Sequence, residues 1–472
     1  MKNKSGRRRR NQNAHQKTTR NKAAAGDGNE DMLSKLPNDL LLNILERVDT
    51  LDAIRTCVLS KQMLKLPTMF SRFFLSVSSI PAYHDKARVS SLSVSDMLRT
   101  NSALAHVTDN ILSTRSTEVA ISKLKIRFIL MQRDSLVIGN SVARAMATQK
   151  VDATEFEIVT EKAYKICSSD DLLQYGKQFN DFIGACPDAF AGLRCLWLRN
   201  MRIHSVVQVE HARLIELEAD NGKFERVELT CLPKLQQVTY NNWFSYEDPM
   251  YFGFVPQLSK LSLIKTGSRL QKTLELSQFL VNVPSISDLH LDFRSENIWV
   301  ISESPELLTP VLSKLQLVNL DHLPKGCDLA WTMFILEAAP SIKELCITVW
   351  DHCCIMFTGT EFRKENGLCD KADLKWKPYA PGFKHKNLVK LTTYGFQPDD
   401  NFVRYITCLA EAAVNMAEIS LHDRKVCGRC DDLDLEVKVK VCPSRYPRTA
   451  EEKSQVTEVL GLASRAVVHF RS

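Results

Sequence analysis

The 472-residue chain holds no long run of uncharged apolar residues, and its Arg-rich N-terminus has no apolar core. The sequence therefore predicts neither a membrane span nor a secretory signal. With 17 Gly and 17 Pro it is not low-complexity or collagen-like. Its 14 Cys are scattered without a dense framework, which in the reducing cytosol or nucleus reads as buried or surface thiols rather than disulfides. No Gly-rich phosphate loop, Gly-x-Ser-x-Gly elbow or His-Glu-x-x-His helix occurs, and nothing nominates a Cys nucleophile, so neither catalytic residue nor cofactor is expected.

Net positive charge is confined to one place. Nine Lys and Arg and no acid fall within residues 1–22, leaving 53 basic and 55 acidic residues for the other 450. The body of the chain is thus not a basic nucleic-acid platform. Residues 1–30 read as a disordered tail, in which Arg7, Arg8, Arg9 and Arg10 form a candidate nuclear localisation signal or a weak phosphate-binding arm.

What is present begins at Asp31. Pro37 sits in a first helical turn, where a missing N–H is tolerated, and Leu36, Leu40, Leu41, Ile44, Leu45 and Val48 recur on one helical face, with Leu42 off that face. Thr50 is the expected N-cap of a second helix through Leu51, Ile54 and Val58, and Ser60 of a third through Met63, Leu64 and Leu66 before Pro67. So short a module cannot bury three apolar stripes alone, and some must face a neighbour.

Leu-Pro-x-x-Leu-Leu-x-x-Ile-Leu followed by Asp-Ala-Ile-Arg-Thr-x-Val-Leu-Ser-Lys resembles the F-box of plant F-box/leucine-rich-repeat proteins. The resemblance implies docking on a Skp-type adaptor and, through it, a cullin ubiquitin ligase. The implied adaptor-binding residues are Leu36, Pro37, Leu40, Leu41, Ile44, Leu45, Val58, Leu59, Met63 and Leu66, with Leu36 and Pro37 foremost. Where many family members carry Trp this chain has Met63, a flexible residue that fills apolar gaps.

Past a stretch from Phe70 to Arg115 that reads as link and cap, an apolar-x-x-apolar-x-apolar register recurs at Ile121/Leu124/Ile126, Leu193/Leu196/Leu198, Leu258/Leu261/Leu263, Ile286/Leu289/Leu291, Leu312/Leu315/Leu317, Ile342/Leu345/Ile347 and Met416/Ile419/Leu421. Weaker copies lie at Ala153/Phe156/Ile158, Leu214/Leu217/Ala219, Leu235/Val238/Tyr240 and Leu388/Leu391/Thr393; Phe224/Val227/Leu229 also fits but follows its predecessor too closely to be a repeat. The spacing is close to the roughly 20–29 residues of a leucine-rich repeat. Helical return segments fall at 276–283, 329–339 and 402–413. The expected fold is α/β: a three-helix F-box, then an irregular leucine-rich-repeat solenoid with a parallel sheet on one side and helices on the other. The divisions are a tail at 1–30, F-box at 31–75, linker or cap at 76–115, repeat array at 116–382, and 383–472, which resembles the FBD region that ends many such plant chains.

Strand alternation places the residue between the two inward apolar positions, and the one after the second, on the opposite, target-facing side. This nominates Trp197, Arg199, Glu218, Asp220, Thr239, Asn241, His290, Asp292, Gln316 and Thr348 as exposed neighbours, with Trp197 beside Arg199 the most interface-like pair. Cys427-Gly-Arg-Cys430, with His422 and Cys442, has metal-like spacing, but without a second paired knuckle it reads as two thiols in a polar turn. His352-Cys353-Cys354 reads as structural. The resulting expectation is a non-catalytic substrate-recognition subunit of a Skp-cullin-F-box ubiquitin ligase in nucleus or cytoplasm, with a protein target of unknown identity. The alternative is a repeat scaffold acting without ubiquitylation; a weaker third is a nucleic-acid-associated regulator led by the tail.

Overall fold

The computed structural model describes residues 36–80, 93–115, 118–148, 151–162, 168–199, 202–220, 223–243, 248–265, 273–295, 298–324, 327–349, 382–423, 445–461 and 466–471. Arg7 to Arg10, Cys427, Cys430, Cys442 and His352 to Cys354 lie outside them.

The chain opens with α1 (Asn38–Leu45) and α2 (Thr50–Val58), followed by a 3-10 turn over Met63–Met69. Three boundaries differ from expectation. Pro37 is the N-cap of α1 rather than its first helical residue. Asp49 caps α2, its carboxylate accepting from Leu51 N at 2.8 Å. Thr50, freed from capping, accepts from Phe74 N at 2.8 Å. The third segment has Gln62, not Ser60, at its N-cap and stays 3-10 with Pro67 inside it, because proline removes a donor and clashes with the preceding turn of an α-helix.

Residues Arg72–Ser76 form β1, the first strand of a thirteen-stranded sheet, so the sheet begins well before residue 116. The expected linker instead contributes a 21-residue helix, α3 (Val94–Thr114), whose Met97, Leu104, Ala105 and Leu112 are buried at helical spacing. Its Asn101 closes the end of β2 (Lys123–Ile129), accepting from Ile129 N at 2.9 Å and donating to Ile129 O at 3.1 Å.

After α4 (Gln132–Thr148) come β3 (Thr154–Val159), α5 (Ser169–Ala185), α6 (Pro187–Phe190) and β4 (Leu193–Arg199). Then strands alternate between two sheets. β6 (Glu216–Asp220), β8 (Gln237–Trp243) and β10 (Lys260–Lys265) continue the large sheet, while β5 (Arg202–Glu210), β7 (Lys223–Cys231) and β9 (Met250–Phe254) form a second, three-stranded one. The unassigned register Phe224/Val227/Leu229 is β7. Its close spacing is that of a backing strand, lying between two strands of the large sheet.

Helical backing resumes with α7 (Leu276–Phe279), α8 (Pro305–Leu312), a 3-10 turn running into α9 (Met333–Ala338), α10 (Asp400–Ala412) and α11 (Ala450–Leu460). Between and after them run β11 (Asp288–Asp292), β12 (Leu317–Leu323), β13 (Glu344–Val349), β14 (Lys390–Tyr394), β15 (Glu418–His422) and β16 (Val467–Arg471). The chain is thus mixed α/β with one large sheet, consistent with a repeat solenoid.

Strands β2 to β15 of the large sheet pair in parallel with both neighbours, and their apolar residues align in two rows. One row runs Leu196, Leu217, Val238, Leu261, Leu289, Val318, Leu345, Leu391 and Ile419; the other runs two residues later in each strand. Each fully buried Leu or Ile in these rows contributes about 1.5–3 kcal/mol over leaving it in water. In β12 the inward pair is Val318 and Leu320, partners of Leu289 and Leu291. The expected register Leu312/Leu315/Leu317 is therefore displaced by three, because the same stretch also reads Leu315/Val318/Leu320.

Candidate functional site: an F-box face and a strand face

The helical module has two sides. Leu41, Leu45, Met63 and Leu66 are all under a tenth exposed and form its core with Ala53 and Cys57. Leu40 and Ile44, one turn apart on α1, are exposed, as are Val58 and Leu59 at the end of α2; Leu59 is 85% exposed. Pro37 is exposed and Leu36 half-buried against the core. The expected adaptor-binding set therefore divides. Met63, Leu41, Leu45 and Leu66 hold the module together, and only the others can meet a partner. So many large exposed apolar side chains on a small module are the signature of an interaction surface.

The module is tied to the sheet rather than hanging from it. Glu46 accepts from Ser71 N, Thr50 from Phe74 N, and Arg55 donates to Ser79 O at 3.1 Å. These three bonds clamp α1 and α2 onto β1 and the turn after it.

On the large sheet, the face away from the apolar rows carries the polar residues. Trp197, Glu218, Thr239 and His290 fall in one row across β4, β6, β8 and β11, with Ser262 of β10 and Asn319 of β12 in the same row. Asp220, Asn241 and Asp292 share the next row. Arg199 pairs with Asp220 in that row, but its side chain lies outside the described residues. Gln316 does not belong to the face. It precedes β12, accepting from Lys343 N at 2.8 Å through its carbonyl, and Asn319 takes the place assigned to it.

Exposure also departs from expectation. Trp197, Glu218, Asp220, Thr239, Asn241 and His290 are half-buried, while Asp292 and Thr348 are buried. Their burial has a visible cause in a network across four adjacent strands. Ser262 Oγ lies 2.8 Å from His290 Nδ1, His290 Nε2 lies 3.1 Å from Asp321, and Thr348 Oγ1 donates to Asp321 at 2.6 Å. His322 Nδ1 lies 2.9 Å from Asp292. The positive φ of 52° at His322 falls where the β12–β13 register shifts. Such an irregularity turns a side chain aside from the regular alternation, here toward Asp292. Burial, the largest single influence, works to raise the Asp292 carboxyl, yet the His322 bond and the charges of His322 and Arg294 hold it below its ordinary value.

Along the row of Thr239 and His290, on the side away from Asn241 and Asp292, a cavity of about 400 Å³ opens on β8, β10, β11 and β12, lined by Gln237, Thr239, Lys260, Ser262, Asp288 and His290 among others. Burial raises the Asp288 carboxyl, opposed by Lys260 and His290. At the other end of the row, Lys125 Nζ sits 4.1 Å from the Trp197 ring centroid and 3.5 Å from Glu157. A cation over an indole face at that range is attracted to the ring, so Lys125 of β2 covers the Trp197 ring. Lys260, Ser262, Asp288, Asn319 and Asp321 were not nominated from sequence. Ser262 was accessible to the same alternation, being the middle residue of Leu261-Ser-Leu263; Lys260 and Asp288 occupy the outward position one step earlier.

Among the described residues no group of three or more His, Cys, Asp and Glu could hold a metal ion, and no helix is long and apolar enough to cross a membrane. His422, one of the spaced metal-like residues, is stacked on Tyr394 with ring centroids 4.3 Å apart.

Residues 33–75 match the F-box domain family. The chain thus carries an F-box domain over that module. F-box domains bind Skp-type adaptors and indicate a part in substrate recognition by Skp-cullin-F-box ubiquitin ligases, and such proteins are typically non-catalytic adaptor subunits. No curated protein matches the chain. Among solved structures, a chain of the Toll–Spatzle complex of Drosophila is similar at 8% identity with a TM-score of 0.17, the match covering 67% of this chain and 60% of that one. The chain thus spans less than two thirds of that neighbour's length, and the likeness is too slight to carry an argument.

Proposed function

We propose that the chain is the substrate-recognition subunit of a Skp-cullin-F-box ubiquitin ligase, docking through Pro37, Leu40, Ile44, Val58 and Leu59 and holding a protein target on the strand face of a leucine-rich-repeat array. The observation that carries this reading is the F-box match at 33–75 joined by the Glu46, Thr50 and Arg55 bonds to the first strand of a thirteen-stranded sheet. A clamped junction turns the two surfaces into one template. A target lysine is then presented at a fixed distance from the conjugating enzyme, and its effective concentration at the thioester rises without any catalytic group in this chain. The basic residues Arg7 to Arg10 fit a nuclear localisation signal in this proposal, and the near-neutral body argues against nucleic acid as the target.

The test is co-capture of the Skp-type adaptor and cullin by the full chain and by Ile44→Asp/Leu59→Asp. Both positions are exposed, so the double variant keeps its melting temperature and loses the adaptor. Adaptor capture that survives the double change counts against the docking face. Adaptor capture in the wild type without ubiquitylation of any co-captured protein favours the scaffold reading instead.

A further inference from the structure

A second cavity lies on the opposite side of the sheet, where the backing changes from helix to strand. Helix α5 backs β3, where Phe182 packs on Phe156, and β5 takes over beside it; the two touch along part of their length, and the residues between them leave a gap. The space left has a volume of about 360 Å³ and walls of Phe179, Phe190, Leu196, Leu198, Val207 and Val209. Phe182 and Phe190, with centroids 5.2 Å apart, pack beside it and fix its floor. Side chains from both backing elements and from β4 are already committed to these walls, so the void is built into the fold rather than left by one small residue. Asn180 and Glu210, both exposed, line it as well and therefore stand at its mouth.

Small-molecule sites are concave, mostly apolar, roughly 300–1,000 Å³ in volume, and carry a few polar groups at one end. An apolar cavity of about 150 Å³ holds benzene, so this one has room for about two fused or linked rings. Among the described lining residues the only formal charge, apart from what His211 can carry, is the Glu210 carboxylate. His211 is committed elsewhere, its two ring nitrogens facing Phe190 O and Arg213 N. We propose that the cavity between α5 and β5 binds a two-ring apolar amine, its rings against Phe179, Val207 and Val209 and its ammonium group toward Glu210. The site is independent of the F-box and of the strand face.

Gly184 supplies the test, because it lines the cavity and a Cβ built on it meets no atom within 4 Å. The full chain is titrated with 1-naphthylmethylamine and with naphthalene by calorimetry, and probe contacts to the Val207 and Val209 methyls are read by NMR. The amine binds saturably, Gly184→Phe weakens it by on the order of tenfold or more, and the melting temperature without probe is unchanged. Glu210→Gln weakens the amine about threefold, as an exposed charge pair does, and leaves naphthalene unaffected. Absence of saturable binding overturns the proposal, as does binding without contacts to Val207 and Val209, or wild-type affinity in a folded Gly184→Phe chain. Equal weakening of both probes by Glu210→Gln overturns the amine assignment.

Discussion

His290 of β11 and Asp321 of β12 face each other at 3.1 Å, while His322 and Asp292 make the reciprocal pair at 2.9 Å. Two neighbouring strands therefore exchange His–Asp bonds in both directions. Next to a carboxylate, His290 Nε2 donates, which leaves Nδ1 to accept the Ser262 hydroxyl in the neutral ring. The network spans β10 to β13 and makes this part of the strand face a set surface rather than a row of independent side chains.

Thr348→Val tests that coupling. The Thr348 hydroxyl donates to Asp321 at 2.6 Å, and both residues are buried. Replacement by the isosteric Val removes the donor and leaves a carboxylate oxygen short of a partner, which costs about 1–3 kcal/mol. Denaturant unfolding shows the loss as a lower midpoint at unchanged slope. An unchanged midpoint means that Asp321 draws enough from His290 and its other surroundings without Thr348.

His385 carries a pH dependence of definite sign. Its Nε2 lies 3.0 Å from Ala339 O and donates to it, while Nδ1 accepts from Leu388 N at 3.0 Å and Asn387 N at 3.3 Å. Both nitrogens are used by a neutral ring, and protonating Nδ1 breaks two bonds. Burial lowers the imidazolium pKa below 6.5, only partly opposed by Ala339 O. The unfolded chain then binds the proton more readily than the folded one. Stability from this group is complete above 6.5 and is lost as pH falls toward the lower folded value. Urea midpoints between about pH 7.5 and 5.5 fall for the wild type and fall less for His385→Gln. A slope that His385→Gln leaves unaltered assigns the dependence to other groups.

The division between core and contact inside the F-box gives a third prediction. Met63 and Leu66 are 3% and 1% exposed, whereas resemblance placed both on the adaptor face. Leu66→Ala then costs about 2–5 kcal/mol by opening a cavity. Met63→Trp, which would strengthen docking if Met63 were a surface contact, instead overpacks the module by about 1–3 kcal/mol. Thermal melting of the full chain separates the two views. A raised affinity for the adaptor with no fall in melting temperature returns Met63 to the interface.

Much of this architecture could be read from the sequence, and the exceptions have physical reasons. The rows through Leu196, Leu261, Leu289 and Leu345 were legible because an inward pair two residues apart, repeated at short intervals, is produced by little besides a stack of parallel strands. β12 was misplaced because Leu312, Leu315, Val318 and Leu320 satisfy two overlapping registers, and only pairing with Leu289 and Leu345 decides between them. β5 and β9 were missed and β7 left unassigned, since a backing strand uses the same alternation as a strand of the main sheet. On the strand face, alternation put Trp197, Thr239 and His290 on the side away from the apolar rows, where they share one row, but could not foresee the burial of Asp292 and Thr348. That burial depends on a register shift and on partners thirty or so residues away, at His322 and Asp321.

The strand face itself gives the last prediction. Lys260 and Asn319 line the cavity between β8 and β12, on the side away from the apolar rows. Lys260 lies in line with Gln237 and Asp288, so Lys260→Glu reverses the charge at the edge of the cavity without touching the core. Asn319 is a stricter probe. Its side-chain oxygen is buried without a hydrogen-bond partner among the described residues, and an arriving donor gains a bond that water cannot easily supply. Asn319→Leu removes that acceptor and does not harm the fold, since no internal bond to the oxygen is lost. Captured from cells with the proteasome blocked, both variants retain the Skp-type adaptor and lose the co-captured target. If they lose the adaptor as well, the two surfaces are not separable; if the target is retained by both, it is held elsewhere on the chain.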